Sequence, residues 1–315
     1  MSTPTSAPTP TAAGRQAPSV AAPDRAPEGH RVSRHRLVLR RLARKRPAMA
    51  GLVVLVGLFA FAFAGPSLSR WGYAAQDFDA FLAPPSARHW FGTTQIGQDV
   101  YVRTMRGLQK SLVIGLLVAV FSTGVAALVG GCAGYFGGWL DRVLMWLVDL
   151  LLVLPAFLVI AVLSPGLRGR SWLWLVALLA GFGWMITARV VRGVALSLRE
   201  REFVQAARFM GVPSIVIVLR HLLPNMSSFL IINATVNVGV AVLAETGLSY
   251  FGFGVQPPDV SLGTLIVEGT PSALTYPWLF HFSAGLLILT VLAVSVVGDG
   301  LRDALDPHAG PGRTR

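Results

Sequence analysis

Residues 199–225 read REREFVQAARFMGVPSIVIVLRHLLPN and lie between two apolar runs, 171–186 and 229–243. A polar stretch of this length between membrane-sized runs is a place where something docks. Ala206 and Ala207 are small helix formers that let a partner approach closely. Gly211 lets the chain stop and turn. Pro213 suits the first turn of a second helix. Ile215, Val216, Val218, Leu219, Leu222 and Leu223 then make a broad apolar face, and Pro224 ends or kinks it. The pattern predicts a helix–turn–helix with a small-residue elbow offered to one side of a membrane. It also fits an amphipathic hairpin lying on the membrane surface.

The rest of the chain favours a membrane. Its 315 residues are 53% hydrophobic and 13% charged, with a mean hydropathy of +0.60. That is the profile of a polytopic membrane protein. The net charge of +12 is almost all arginine, with Lys45 and Lys110 as the only lysines. In so apolar a chain this marks segments held on the cytoplasmic side rather than a nucleic-acid surface. A lone cysteine, Cys132, excludes an internal disulfide framework. The six histidines are scattered, and no pair has the helical spacing of a metal site.

The pattern predicts an all-α chain with six membrane spans: 48–64, 111–135, 143–163, 171–186, 229–243 and 277–297. Residues 1–30, rich in Pro, Ala, Thr and Ser, read as a disordered tail, and a dense basic segment (31–46) follows. That segment, its apolar run and Ala62-Phe63-Ala64 also fit a cleaved signal peptide. The run is long for that and more spans follow, so an uncleaved first helix is preferred. The segment 65–110 is expected outside the membrane, and 301–315 as a tail. Gly130 and Gly134 permit close helix contact. Asp149 interrupts the third span, either as a gate or relay or, the plainer reading, as an acid paired with Arg142 or Arg189. Asn233 and Asn237 share a helical face, which suits a wet pathway or an interhelical hydrogen bond; pathway is slightly preferred. Glu245–Gly263, ETGLSYFGFGVQPPDVSLG, alternates glycine and aromatics and is expected as a re-entrant or surface loop. Arginine placement sets both termini inside, although Arg103, Arg106 and Lys110 then fall on the outer side.

Four motifs together resemble the permeases of ABC importers of the dipeptide/oligopeptide branch. Val204-Gln205-Ala206-Ala207, Gly211 and Leu223-Pro224 match the spacing of that family's cytoplasmic coupling loop, with Gln205 where the family usually has Glu. His89-Trp90-Phe91-Gly92-Thr93 and Gly97-Gln98-Asp99-Val100 resemble the segment before its second span, with Thr94 and Gln98 replacing a common Asp and Arg. Leu248–Gly254, Gln256-Pro257-Pro258 and Gly263 match its loop before the last span. Gly298–Pro307 matches its C-terminal ending.

The resemblance, which covers about 36–307, implies the C-type permease subunit of a type I importer in a bacterial plasma membrane. Its partners would be a second homologous permease, two ABC ATPase subunits, an extracytoplasmic substrate-binding protein and membrane lipids. No nucleic acid and no metal are implied. The chain has no Walker motif, so ATP and Mg belong to the partner ATPases and the chain is expected not to be an enzyme. Coupling falls to Glu202, Gln205, Ala206, Ala207 and Gly211, pathway lining to Asn233 and Asn237, and an outer gate to Glu245, Ser249, Tyr250 and Phe251. The substrate implied is a di- or oligopeptide; nickel and glutathione importers use similar permeases. A membrane scaffold would explain the helices and docking stretch but not the glycine/aromatic segment. A membrane enzyme would need converging polar groups, whereas Asp149, Glu245 and Asp299 fall near different helix ends.

Overall fold

The computed structural model describes residues 42–305, apart from 168 and 170. The expected N-terminal tail, most of the basic segment and the last residues of the C-terminal tail lie outside the described residues. Among the described residues there are helices and two isolated β-bridges, Gln76–Gln98 and Thr93–Asp99, but no strand. The helices are α1 (Arg46–Leu68), α2 (Val100–Phe136), α3 (Gly138–Val153), α4 (Ala156–Leu163), α5 (Leu173–Gly183) and α6 (Met185–Arg199). They continue as α7 (Glu202–Phe209), α8 (Ser214–Asn225), α9 (Ser227–Tyr250), α10 (Leu262–Gly269) and α11 (Trp278–Leu305).

Four helices, α1, α2, α9 and α11, are long and apolar enough to cross a membrane, and two bent pairs raise the number to six. Proline breaks the first pair. Leu154 is extended ahead of Pro155, and α3 and α4 meet at 75°, because proline supplies no N–H and disfavours a helical residue before it. The second pair, α5 and α6, bends by 44° at Trp184. Successive spans run between two ends of the molecule. One end carries a cap, residues 69–99 with α10; the other carries the α7–α8 hairpin.

Several expected boundaries move. α2 begins at Val100, not at 111, because the Asp99 carboxylate caps it by accepting the Val102 N–H. Its 37 residues rise about 55 Å, well beyond a hydrocarbon core of roughly 30 Å, so the helix extends past the bilayer. The fourth span does not stop at 186: α6 carries Arg189, Arg192 and Arg199 on helical backbone. α9 runs on to Tyr250, so Glu245, Ser249 and Tyr250 are helical rather than in a loop, and only 251–261 is irregular before α10. α11 passes through Gly298 and Gly300 without a break.

Packing explains that continuity. A Cβ on Gly300 would come within 2.1 Å of the Ala48 Cβ, and one on Gly51 within 3.0 Å of Val296. The glycines let α1 and α11 touch, and that contact offsets the helix propensity they lack. The core is built on α2. At Gly130 and Gly134 an added Cβ would meet the Ala188 carbonyl oxygen at 2.4 Å and the Ala195 Cβ at 2.6 Å. These two glycines seat α6 directly on α2, the close contact their spacing permits.

Candidate functional site

The hairpin is built from its turn outwards. α7 ends in a Schellman motif: the Gly211 N–H bonds Arg208 O at 3.0 Å and the Val212 N–H bonds Ala207 O at 3.1 Å. Gly211 has φ +75°, and nothing lies within 4 Å of where its Cβ would stand, so any side chain there would project into open space. Val204, Ala207, Ile217, Val218 and Leu222 turn inward onto Tyr135 of α2 and Val191 and Ala195 of α6. Ala207 therefore permits close approach of the chain to itself, while Ala206 and Glu202 face outward. The outward edge is apolar as well: Phe209 is 89% exposed and Met210 75%, with Phe203, Ile215 and Leu219 beside them. The Gln205 amide donates to Glu200 O at 3.2 Å. A cleft of about 880 Å³, lined by Tyr135, Phe136, Arg199, Gln205 and Phe209, separates the hairpin from the end of α2. In α8 a π-turn over Val218–Leu222 precedes Pro224, and the helix ends at Met226.

Behind the hairpin, acids and arginines pair between helices. Arg192 of α6 grips Asp141 of α3 through two bonds of 2.5 and 2.6 Å. Arg189 pairs with Asp149, the plainer of the two readings for that acid. Lys45 reaches Asp303 at 2.5 Å, joining the chain before α1 to the last turns of α11.

The two amides of α9 do meet. The Asn233 Oδ1 accepts from the Asn237 amide at 3.0 Å and from the Thr187 hydroxyl of α6 at 3.1 Å. The interhelical hydrogen bond is thus present, and both side chains are half-buried.

At the other end of α9 lies Glu245, with 0% of its surface exposed. Its Oε1 accepts from the Ser249 and Ser261 hydroxyls, both at 2.6 Å. Its Oε2 is buried without a hydrogen bond of normal geometry among the described residues. Ser261 also caps α10 by accepting the Thr264 N–H at 3.1 Å, and the Leu262 N–H donates to the Ser111 hydroxyl of α2 at 3.0 Å. One carboxylate thereby ties α9 to α10, and α10 is tied to α2. Of the residues expected at an outer gate, Glu245 and Ser249 are interior ties, whereas Tyr250 and Phe251 are 58% and 61% exposed.

The cap holds a cluster that sequence reading passed over. The His89 ring is 2% exposed and lies between Asp99 Oδ2 at 2.8 Å and Asp77 Oδ2 at 3.2 Å. Trp71 stacks on it at 4.6 Å. Arg88 also reaches Asp77 at 3.0 Å. The Asp79 N–H, donated to Asp77 at 3.1 Å, is the main cause holding the Asp77 carboxyl below its ordinary range, with His89 and Arg88 adding to it against the cost of burial. The signal was the HWFGT motif itself, but the partner Asp77 is twelve residues upstream in unpatterned chain. Two further basic residues on this end are matched by acids. Arg103 meets Glu268 at 2.7 Å, and Lys110 meets Asp259 at 2.8 Å while lying over the Trp172 ring.

Comparison with known proteins places this geometry. Residues 126–310 match the family model described as the binding-protein-dependent transport system inner membrane component, and residues 33–85 match the N-terminal TM domain of oligopeptide transport permease C. The chain is 56% identical over 276 residues to the oligopeptide transport system permease protein OppC of Mycobacterium tuberculosis, covering 87% of this chain and 95% of that one. It is 38% identical over 269 residues to the dipeptide transport system permease protein DppC of Bacillus subtilis, covering 85% and 84%. A polytopic helical chain with this hairpin belongs to the family of binding-protein-dependent transport system inner membrane components, on its oligopeptide and dipeptide ABC permease branch.

Proposed function

We propose that this chain forms one half of the membrane pathway of an ATP-driven importer of di- or oligopeptides, and that the α7–α8 hairpin is where ATPase subunits push on it. The observation that carries this reading is the hairpin's double apolar face. One face is packed on α2 and α6, and the other, with Phe209 and Met210, is left to solvent. An exposed apolar edge rimmed by the polar residues of α7 is a surface for a partner to cover. ATP and Mg are bound by the partner ATPases. A second, homologous permease completes the pathway, and a substrate-binding protein delivers peptide at the cap. Both termini and the hairpin then face the cytoplasm, where the paired arginines of α6 also lie.

The packing offers a continuous route for the push. Displacing Glu202–Gly211 moves Val204 and Ala207, which bear on Val191 and Ala195 of α6. α6 is joined to α9 through Thr187 and Asn233, and α9 to α10 through Glu245 and Ser261. Rotation of α9 would expose Asn233 and Asn237 to the pathway and shift Tyr250 and Phe251 at the outer gate. Coupling of this kind requires that the hairpin contact differ between ATP-bound and ATP-free states.

The test is co-purification of the tagged chain from native membranes. The expected result is recovery of a second permease and an ATPase, with Gln205→Ala and Ala206→Arg weakening ATPase association. Gly211→Trp should abolish uptake while the protein remains in the membrane. Recovery of the chain with no ATPase, or normal uptake by the Gly211→Trp variant, would sink the proposal.

A further inference from the structure

At the cap end a cleft of about 730 Å³ opens beside the last turn of α1, walled by Leu68, Arg70, Trp71, Arg88 and Trp90. A water molecule's share of liquid is about 30 Å³, so the cleft is far larger than an ion needs. One wall is apolar and continues down the flank of α1, where Ala64 and Leu68 lie four residues apart on one face and both are exposed. Since α1 is long and apolar enough to span a membrane, the cleft sits where that span leaves the hydrocarbon. Two tryptophans at this level fit the aromatic belt of a membrane interface.

The charges are arranged to leave a cation at the mouth. Asp99 also lines this cleft and Asp77 lies behind Arg88, but both turn inward onto His89, and Asp99 additionally caps α2. Arg88 is held in place, 5.2 Å over the Trp71 ring and 3.0 Å from Asp77. Arg70 is exposed and has no carboxylate partner among the described residues. A guanidinium presents a planar fork of donors that suits phosphate oxygens.

We propose that this cleft holds the phosphate of an anionic phospholipid from the leaflet at the cap end. Arg70 and Arg88 contact the headgroup, and an acyl chain lies along Ala64 and Leu68. A free phosphate would satisfy the arginines but leave the apolar wall uncovered. The proposal concerns a surface of this chain alone and does not depend on what the chain transports.

The full-length chain, purified in the assembly it forms, would be reconstituted in bilayers of phosphatidylglycerol and phosphatidylcholine. It would then be released into detergent for native mass spectrometry. Arg70→Gln should retain about five-fold less phosphatidylglycerol than the parent, the effect of one basic residue near an anionic surface. Arg70→Lys should restore most of it. Because Arg70 is exposed, unfolding temperatures in phosphatidylcholine alone should not change. Equal phosphatidylglycerol retention by the parent and Arg70→Gln would overturn the proposal. So would displacement of the lipid by millimolar inorganic phosphate, which would make this a soluble-anion site. Crosslinking of Trp90→Cys to another subunit across the cleft would also overturn it, by showing that a protein fills the space.

Discussion

Glu245 shows how much one side chain can organise. A carboxylate buried between two serine hydroxyls has given up its water and recovers that cost only through those bonds. Glu245→Ala should strip α10 of its tie to α9 and lower unfolding stability by about 1–3 kcal/mol. Glu245→Gln, which still accepts through one oxygen, should cost less. Chemical unfolding in detergent would compare them, and equal losses would mean the oxygen contributes nothing specific. Asp149 and Arg189 make a different case. Each charge alone near the middle of a span costs about 2.5–3.5 kcal/mol on insertion scales, and their pairing removes much of that. Asp149→Ala or Arg189→Ala alone should therefore reduce the amount of chain in the membrane, and the double variant should recover it. If the double variant were worse than either single one, the pair would not be what holds these residues.

Among the elements, α2 and α6 depend most on contact without side chains. Where Gly134 faces Ala195 and the Arg192 carbonyl, an added Cβ would lie within 2.6 and 2.7 Å of them. Those neighbours are a Cβ and backbone, with no flexible end to give way. Gly134→Leu should separate the two helices and cost about 1–3 kcal/mol or more by overpacking. Gly124, with nothing within 4 Å, should accept the same change with little effect. Thermal unfolding of the two variants side by side tests the difference. The hairpin makes the complementary point. Gly211→Ala meets no atom, so its cost is the left-handed backbone alone, about 1–2 kcal/mol, borne by the Schellman turn. Helix identity was largely legible in the sequence here, because Gly211 and Pro213 punctuate it. Helix ends were less so: α11 runs past Gly298 and Gly300, which argue for a break, because both are buried and α1 covers Gly300, and α9 runs past Gly247 because Glu245, Leu248 and Ser249 on its other face are buried.

At the scale of the whole molecule, the bundle has two chemically different ends. The cap is held by a buried histidine between two acids, and its acid limb is predictable in sign. Asp77 has its folded pKa lowered, so its contribution is complete above the ordinary carboxylate value near 4 and is lost as pH falls through the folded value. Trp71 stacks on His89, so its fluorescence should report loosening of the cap as pH falls below about 4. Asp77→Asn should flatten that dependence. The orientation proposed above is tested at this scale too. A cysteine at Phe78, 72% exposed in the cap, should be labelled from outside intact cells, and one at Phe209 only after lysis.

Composition and apolar run length determined that this chain is a helical membrane protein, and the spacing around Ala206, Gly211 and Pro213 determined that it carries a hairpin. These are properties of local backbone preference and of transfer from water, which a linear pattern records. Tertiary structure alone decided that α9 and α11 run on past their glycines, that Ala207 faces inward while Ala206 faces out, that Asn233 bonds Thr187, and that Glu245 and His89 are interior. Each of those depends on which atoms another helix brings near. Asp77 and His89, Glu245 and Ser261, and Gly300 and Ala48 are joined by contacts within the cap or between helices, and no periodicity along the chain encodes them.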